Sequence, residues 1–460
     1  MDICEKENPS GIVTCVGGQT ANNLTPLLSR HGIQIIGTSS ENVDKAENRS
    51  KFGRLLDQLR IKQPAWKIFT NVSEAKRFAM EVGYPVLVRP SYVLSGAAMK
   101  VVWAEYQLEQ FLLAAAKVSP DHPIVISKFL QDASEVEVDA VGADGKDVVI
   151  GSIVEHIDNA GVHSGDAMMC IPPWRLDRET IETIIDYTVR IGKALKVTGP
   201  FNIQYLVKES EVSVIEANVR ASRSMPFVSK FIGVNLIKLA AEAMIGHSIT
   251  QGAKDLWLKT TEFGIKVPQF SFMQLEGADI VLGVEMQSTG EVACFGKSFY
   301  DALSKAYRAA GYSLPTKGSA LITVGGQRNK ERILPLVSKV AMMGYDILAT
   351  EHTAEYISIN IDAVKLKLVY KISEPDRKPN ISDLLFSRKI DFIINIPSTS
   401  TAEKYVGMLD DEYQIRRKAV EMGVPVLTTH EAAISFINTL EWVRKNTPTI
   451  DYLRDYHHFE

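Results

Sequence analysis

Cysteine is scarce. Cys4, Cys15, Cys170 and Cys294 are the only four in 460 residues, and no two are spaced as a CxxC pair. That argues against a structural zinc site or a disulfide framework and suits a reducing compartment. No run of about 18 consecutive apolar residues occurs, so no transmembrane helix is expected. Basic charge is not in excess either: the net charge is −4 and the isoelectric point about 6.2, which gives no field for nucleic acid or an anionic membrane. The acidic start MDICEKENPS has the layout of neither a signal nor a transit peptide. A cytoplasmic location is the expectation, or a mitochondrial one if a presequence precedes this start. What is present is ordinary globular composition, 45% hydrophobic and 23% charged, over a length that holds two to four domains.

The most informative stretch is GPFNIQYLVKESEVSVIEANVRASRS, from Gly199 to Ser224. Two β-rich runs, 201–207 and 212–217, flank the polar residues 208–211 and read as a hairpin. A three-residue loop, 209–211, would close Lys208 against Val212 and set Gln204 across from Glu216. Alternation then places Asn202, Gln204, Glu216 and Asn218 on one face. An oxygen-rich face of this kind suits Mg²⁺, with Gln204, Glu216 and Asn218 as candidate ligands. Arg220 and Arg223 follow closely, where they can neutralise a transferring phosphoryl group. The alternative is a hairpin whose polar residues face water. Upstream, the strand GYPVLV delivers Arg89 into SYVLSGAAM, where small residues let backbone N–H groups approach phosphate oxygens; an ordinary hairpin with a glycine bulge is the competing reading. His156 and His163, seven apart with no cysteine nearby, are not a helical i, i+4 pair and are set aside as a metal pair.

The string FNIQ…VIEANVRASRSMPFVSK, together with RPSYVLSGAAM, resembles the ATP-grasp ligases, and within them the second synthetase half of the carbamoyl phosphate synthetase large chain. The resemblance runs over essentially the whole sequence. It implies an α/β and α+β multidomain fold. Residues 1–50 would be a truncated parallel α/β layer (strands 11–16 and 33–36), residues 51–248 the ATP-grasp domain, and 249–315 its closing part. Residues 316–460, where strands alternate with helices again, would be a parallel-sheet regulatory domain similar to methylglyoxal synthase. It also implies roles: Lys128, Leu130, Glu135, Gly161, Val162, His163 and Ser164 as contacts of the nucleoside and neighbouring phosphates, with Arg89, Gln204 and Glu216 also touching ATP, and Arg49, Arg89, Arg220 and Arg223 as the catalytic cations. Taken singly, a Glu in the EVEVD run is equally the solvent face of a strand. Two Mg²⁺ or Mn²⁺ ions are implied as cofactors.

At the carboxyl ends of the C-terminal strands, Thr350, Thr353 and Asn395 are candidates for a small-molecule effector; a threonine after a strand also reads as a helix cap. Tyr370, Ser398 and Glu412 fall where effector contacts occur in the family. The implied reaction is transfer of the γ-phosphoryl group of ATP to carbamate, giving carbamoyl phosphate. No first synthetase half and no glutaminase are recognisable, so both are expected as partners in this or another chain. The competing expectation is a non-catalytic module that binds nucleotide and effector.

Overall fold

The computed structural model describes residues 2–90, 99–118, 124–249, 261–275, 277–362, 364–397 and 405–452. The chain forms two compact units, one from Met1–His156, Met169–Gly264 and Asp451–Glu460, the other from Ile157–Met168 and Ile265–Ile450. No helix among the described residues is long and apolar enough to cross a membrane.

In the first unit, the opening residues hold less sheet than expected. The anticipated strands 11–16 and 33–36 reduce to one parallel bridge, Ile12 to Ile35, closed by Ile12 N–H to Gln34 O at 2.8 Å and Ile36 N–H to Ile12 O at 2.9 Å. Parallel pairing is the weaker ladder, and no third described strand flanks this pair to extend it. Helices Ser40–Glu47 and Arg49–Gln58 follow, each capped by the side chain before it, Ser39 and Asn48. An antiparallel sheet then runs in the order β1-β4-β2-β3, from β1 (Trp66–Phe69), β2 (Val86–Pro90), β3 (Lys100–Val102) and β4 (Ile124–Lys128). The helix Val72–Val82 beside it is capped by Asn71, whose side chain accepts from the N–H of Ser73 and Glu74. Ser73 lies inside the helix.

Five further strands are ordered β7-β6-β5-β8-β9: β5 (Ser134–Ala143), β6 (Asp147–Asn159), β7 (Met169–Ile171), β8 (Gly199–Lys208) and β9 (Glu211–Asn218). One face of β5, β8 and β9 is apolar. Val136, Val138 and Ala140, Phe201, Ile203 and Tyr205, and Val212, Val214 and Ala217 pack with Ile184 and Ile191 of the helix Arg178–Ala194 and with Phe52 and Leu56 of Arg49–Gln58. Burial at this scale is the main favourable term in folding. The other face is polar, and it carries the site.

In the second unit, β10 (Phe263–Gln269) and β11 (Gly290–Gly296) are neighbours. A separate parallel sheet is ordered β14-β13-β12-β15-β16, from β12 (Ser319–Val324), β13 (Asp346–Ala349), β14 (Leu366–Leu368), β15 (Phe392–Ile396) and β16 (Val426–Leu427). Helices Gln327–Met342, Glu351–Asn360, Tyr405–Glu421 and His430–Lys445 alternate with these strands, the arrangement expected for the C-terminal region. Residues 265–315 group with this unit.

Candidate active site

The hairpin of β8 and β9 closes differently from the expected loop, and the difference decides which side chains meet. Lys208 pairs with Glu211, leaving a two-residue turn in which Glu209 and Ser210 both have positive φ, 50° and 63°. That is the geometry of the primed turns, which match strand twist and normally carry Asn or Gly. The register Tyr205–Val214 then slips to Gln204–Glu216, with Ile215 bulged between them. Because side chains alternate, Val212 and Val214 could not share the core face with Ala217 without that extra residue. The bulge keeps both valines in the core and turns Glu216 and Asn218 onto the polar face, opposite Gln204 and Asn202. The carbonyl of Ile215 accepts from Arg49 Nη1.

On the same face β5 contributes more than expected. Glu137 pairs with Gln204 and Asp139 with Asn202, so three strands present one continuous polar row. Glu135, Glu137 and Asp139 are buried, which excludes the solvent-face reading of EVEVD. Asn202 Nδ2 donates to Glu137 Oε2 at 3.3 Å and Asp139 Oδ1 at 3.0 Å, and Gln204 Nε2 reaches Glu137 Oε1 at 3.4 Å. His156 Nε2 lies 3.2 Å from Glu137 Oε1. The ligand atoms of Glu135, Glu137 and His156 all lie within 4.8 Å of one another, so His156 shares a possible cation cluster, though not with His163. Asn218 Nδ2 donates to Glu216 Oε1 at 3.0 Å. Carboxylate and amide oxygens gathered on one rigid sheet face are the donor set a hard divalent cation takes, so the residues present fit Mg²⁺ or Mn²⁺.

The cations stand around this row. Arg49 is the first helical residue after Asn48, stacked 5.1 Å from the Trp66 ring. Burial pulls its guanidinium down to about 10, Arg89 pushes the same way, and Glu216 opposes them. A group repelled by its neighbour cation is one that gains when an anion enters between them. Arg89 sits on β2 opposite Val125. Arg220 Nη2 donates to Asn218 Oδ1 at 3.1 Å. Arg223 is exposed in the loop before helix Met225–Ile232. Lys128 ends β4 with its ammonium on the carbonyls of Gly83 (2.8 Å) and Tyr84 (3.3 Å); burial lowers its pKa, and Leu130 lies two residues on. The phosphate-covering residues 91–98 lie outside the described residues.

Gly161, Val162, His163 and Ser164 belong to the other unit. There the segment GVEMQSTGEV, residues 283–292, acts as their support. His163 N–H donates to Gly283 O at 2.8 Å, Asp166 accepts from the N–H of Gln287 and Ser288, both at 2.8 Å, and the buried Lys266 ammonium holds Ser164 O at 3.0 Å. Lys266 and Asp166 are neighbours of this loop that the sequence does not disclose, because the contacts span more than a hundred residues.

A cavity of about 320 Å³ opens at the carboxyl ends of β12 and β13. Thr350 and Thr353 line it with Lys330, Lys371, Glu374 and Glu412, whose carboxyl burial pushes up. Asn395 does not line it. That residue is wholly buried on β15, with its Oδ1 accepting from Arg416 Nη1 at 2.8 Å. Ser398 lies outside the described residues.

Buried Asp139 yields a pH prediction. Its Oδ1 accepts from Ser222 Oγ at 2.5 Å and from Asn202, while Oδ2 has no partner. Burial pushes its pKa up to about 6; the serine bonds hold it down, and Glu137 adds to the rise. The folded chain therefore binds this proton more tightly than the unfolded one, so this group's contribution to stability is full below about pH 4 and is lost as pH rises through about 6, a change of about 3 kcal/mol. In urea titrations between pH 4 and 7, Asp139→Asn is expected to flatten this slope; an unchanged slope would refute the assignment.

Comparison with known proteins agrees with this geometry. Residues 48–251 match the family model "Carbamoyl-phosphate synthase L chain, ATP binding domain", residues 1–45 the "Carbamoyl phosphate synthase preATP-grasp domain", and residues 332–428 the "MGS-like domain". The chain is 47% identical over 442 residues to multifunctional protein URA2 of Saccharomyces cerevisiae, covering 96% of this chain and 20% of that protein. It is 44% identical over 458 residues to the carbamoyl phosphate synthase large chain of Archaeoglobus fulgidus, covering 99% and 41%. The chain thus spans between a fifth and two fifths of the length of these relatives. Among solved structures it resembles the biotin carboxylase–β,γ-ATP complex of Campylobacter jejuni, with a TM-score of 0.55 at 18% identity over 67% of this chain and 76% of that one. With the three matched domains in order, an oxygen-lined sheet face and a parallel C-terminal sheet, the chain carries a carbamoyl-phosphate synthase preATP-grasp domain and ATP binding domain followed by an MGS-like domain, and has the ATP-grasp fold.

Proposed function

We propose that this chain transfers the γ-phosphoryl group of ATP to carbamate, making carbamoyl phosphate and ADP, and that a small molecule in the C-terminal cavity regulates it. The observation that carries the reading is the shared face of β5, β8 and β9, where Gln204 meets Glu137 and faces Glu216, Asn218 bonds Glu216 and Arg220, and Arg49 holds the Ile215 carbonyl. Phosphoryl transfer asks the protein chiefly for positioning and charge neutralisation. Gln204, Glu216 and Asn218 are the residues to hold divalent metal, which when bound screens the charge on the phosphate oxygens. Arg49, Arg89, Arg220 and Arg223 supply the fixed positive charge. Lys128, Leu130, Glu135 and residues 161–164 take the nucleoside and its phosphates. No general base is needed, since the carbamate oxygen is already anionic. Carbamate does not persist in water, so a first synthetase half and a glutaminase, in this or another chain, are the proposed source.

The test is the reverse partial reaction: the 460-residue chain with MgADP and carbamoyl phosphate should form ATP. No ATP above the background of a heat-denatured sample would refute catalysis. MgADP binding without turnover would point to the regulatory module instead. For the cavity, a thermal-shift screen of nucleotides, ornithine and N-acetylglutamate should give at least one ligand whose shift is lost in Thr350→Val.

A further inference from the structure

The first fifty residues contain a polar chain that ends on a catalytic cation. Glu47, the last residue of helix Ser40–Glu47, accepts from Asn22 Nδ2 at 2.8 Å and from Gln19 Nε2 at 3.0 Å. Gln19 Nε2 also donates to Asn23 Oδ1 at 2.9 Å, and its Oε1 accepts from Arg220 Nε at 2.8 Å. Arg220 goes on through Nη2 to Asn218 Oδ1, and Asn218 to Glu216.

The amide of Gln19 has one workable orientation. Its NH₂ meets a carboxylate and an amide oxygen, and its carbonyl meets a guanidinium; rotated by half a turn, it would set donor against donor and oxygen against carboxylate. The guanidinium is fixed in consequence. Of its five N–H groups, Nε is taken by Gln19, one on Nη2 by Asn218, and one on Nη1 by Ala221 O at 3.3 Å. One N–H remains on each terminal nitrogen, the fork that meets two oxygens of one anion.

We propose that Gln19, anchored by Glu47, is a positioning residue that aims the free fork of Arg220 at the carbamoyl or phosphoryl oxygens during transfer. The inference rests on the phosphoryl-transfer reading above. It assigns the opening layer of the chain a direct part in the site. A long arginine side chain left unheld samples many rotamers, and ordering it at the moment of reaction would then be charged to the barrier.

The test compares wild type, Gln19→Ala and the exchanged pair Gln19→Glu/Glu47→Gln in ATP formation from MgADP and carbamoyl phosphate. In Gln19→Ala the KM for carbamoyl phosphate should rise and kcat should fall, each about tenfold, with the KM for MgADP unchanged. The exchange restores an acceptor for Arg220 Nε and should recover most of the loss. A uniform fall in activity with both KM values unmoved, or an exchanged pair no better than Gln19→Ala, would overturn the proposal. Calorimetric binding of carbamoyl phosphate separates it from the function it rests on. If wild type forms no ATP but binds carbamoyl phosphate more tightly than Gln19→Ala does, the positioning role stands and the enzymatic reading falls. If wild type does not bind carbamoyl phosphate, both fall.

Discussion

Glu216→Ala is expected to lower ATP formation from MgADP and carbamoyl phosphate by about 10³-fold, equivalent to about 4 kcal/mol of transition-state stabilisation. Three losses coincide. The carboxylate opposite Gln204 is the charged member of the proposed metal-holding set, so the remaining amides hold a divalent ion only weakly. Asn218 loses the acceptor for its NH₂ at 3.0 Å and is released to turn away from Arg220. Arg49, already pulled down by burial and by Arg89, loses the carboxylate whose charge opposes them. Glu216→Gln separates these effects, since an amide can keep the contact to Asn218 while removing the charge. It should therefore bind MgADP as poorly as the alanine variant yet keep its fold equally well. Activity of Glu216→Ala within tenfold of wild type, measured by coupling ATP to hexokinase, would remove the metal-holding role from this residue.

The pairing of Gln204 with Glu216 was legible because acid and amide residues alternate with β-branched and aromatic ones, and that period survives any loop. The way the pairing arises was not. Glu209 and Ser210 are poor markers of a turn with two positive φ angles, and a bulge leaves no compositional signature, so a three-residue loop gave the right partners by a wrong count. Glu137 and Asp139 were hidden for a different reason. Alternation shows that two faces differ, but it does not say whether the polar one meets water or a covered site. The parallel C-terminal sheet was readable from strand and helix periodicity, whereas the commitments of Gln19, Lys266 and Asn395 depend on partners 201, 102 and 21 residues away. Local pattern carries no information about contacts of that span.

Asn395 leads to the second large effect, at a charge that no function yet requires. Arg416 is 1% exposed in the helix Tyr405–Glu421, and its guanidinium grips Asp279 with both edges, Nε to Oδ1 at 2.7 Å and Nη2 to Oδ2, while Nη1 donates to Asn395. Burying an arginine is tolerable only when its donors are met, and here a bidentate carboxylate and a buried amide meet three of them. Arg416→Leu removes the cation, leaves the carboxylate of Asp279 with only the N–H groups of Ile280 and Val281, and strips Asn395, whose Nδ2 is already without a partner, of its remaining side-chain bond. The expected cost is about 3 kcal/mol. For a unit of this size that lowers Tm by roughly 6–12 °C. Asp279→Leu in the same chain should return part of the loss, because two apolar side chains leave no stranded charge, and the double-mutant cycle should show coupling above about 1 kcal/mol. Additive losses, or a single Arg416→Leu cost below about 1 kcal/mol in calorimetric melting, would mean that the pair is solvated in solution and contributes little to holding the C-terminal unit together.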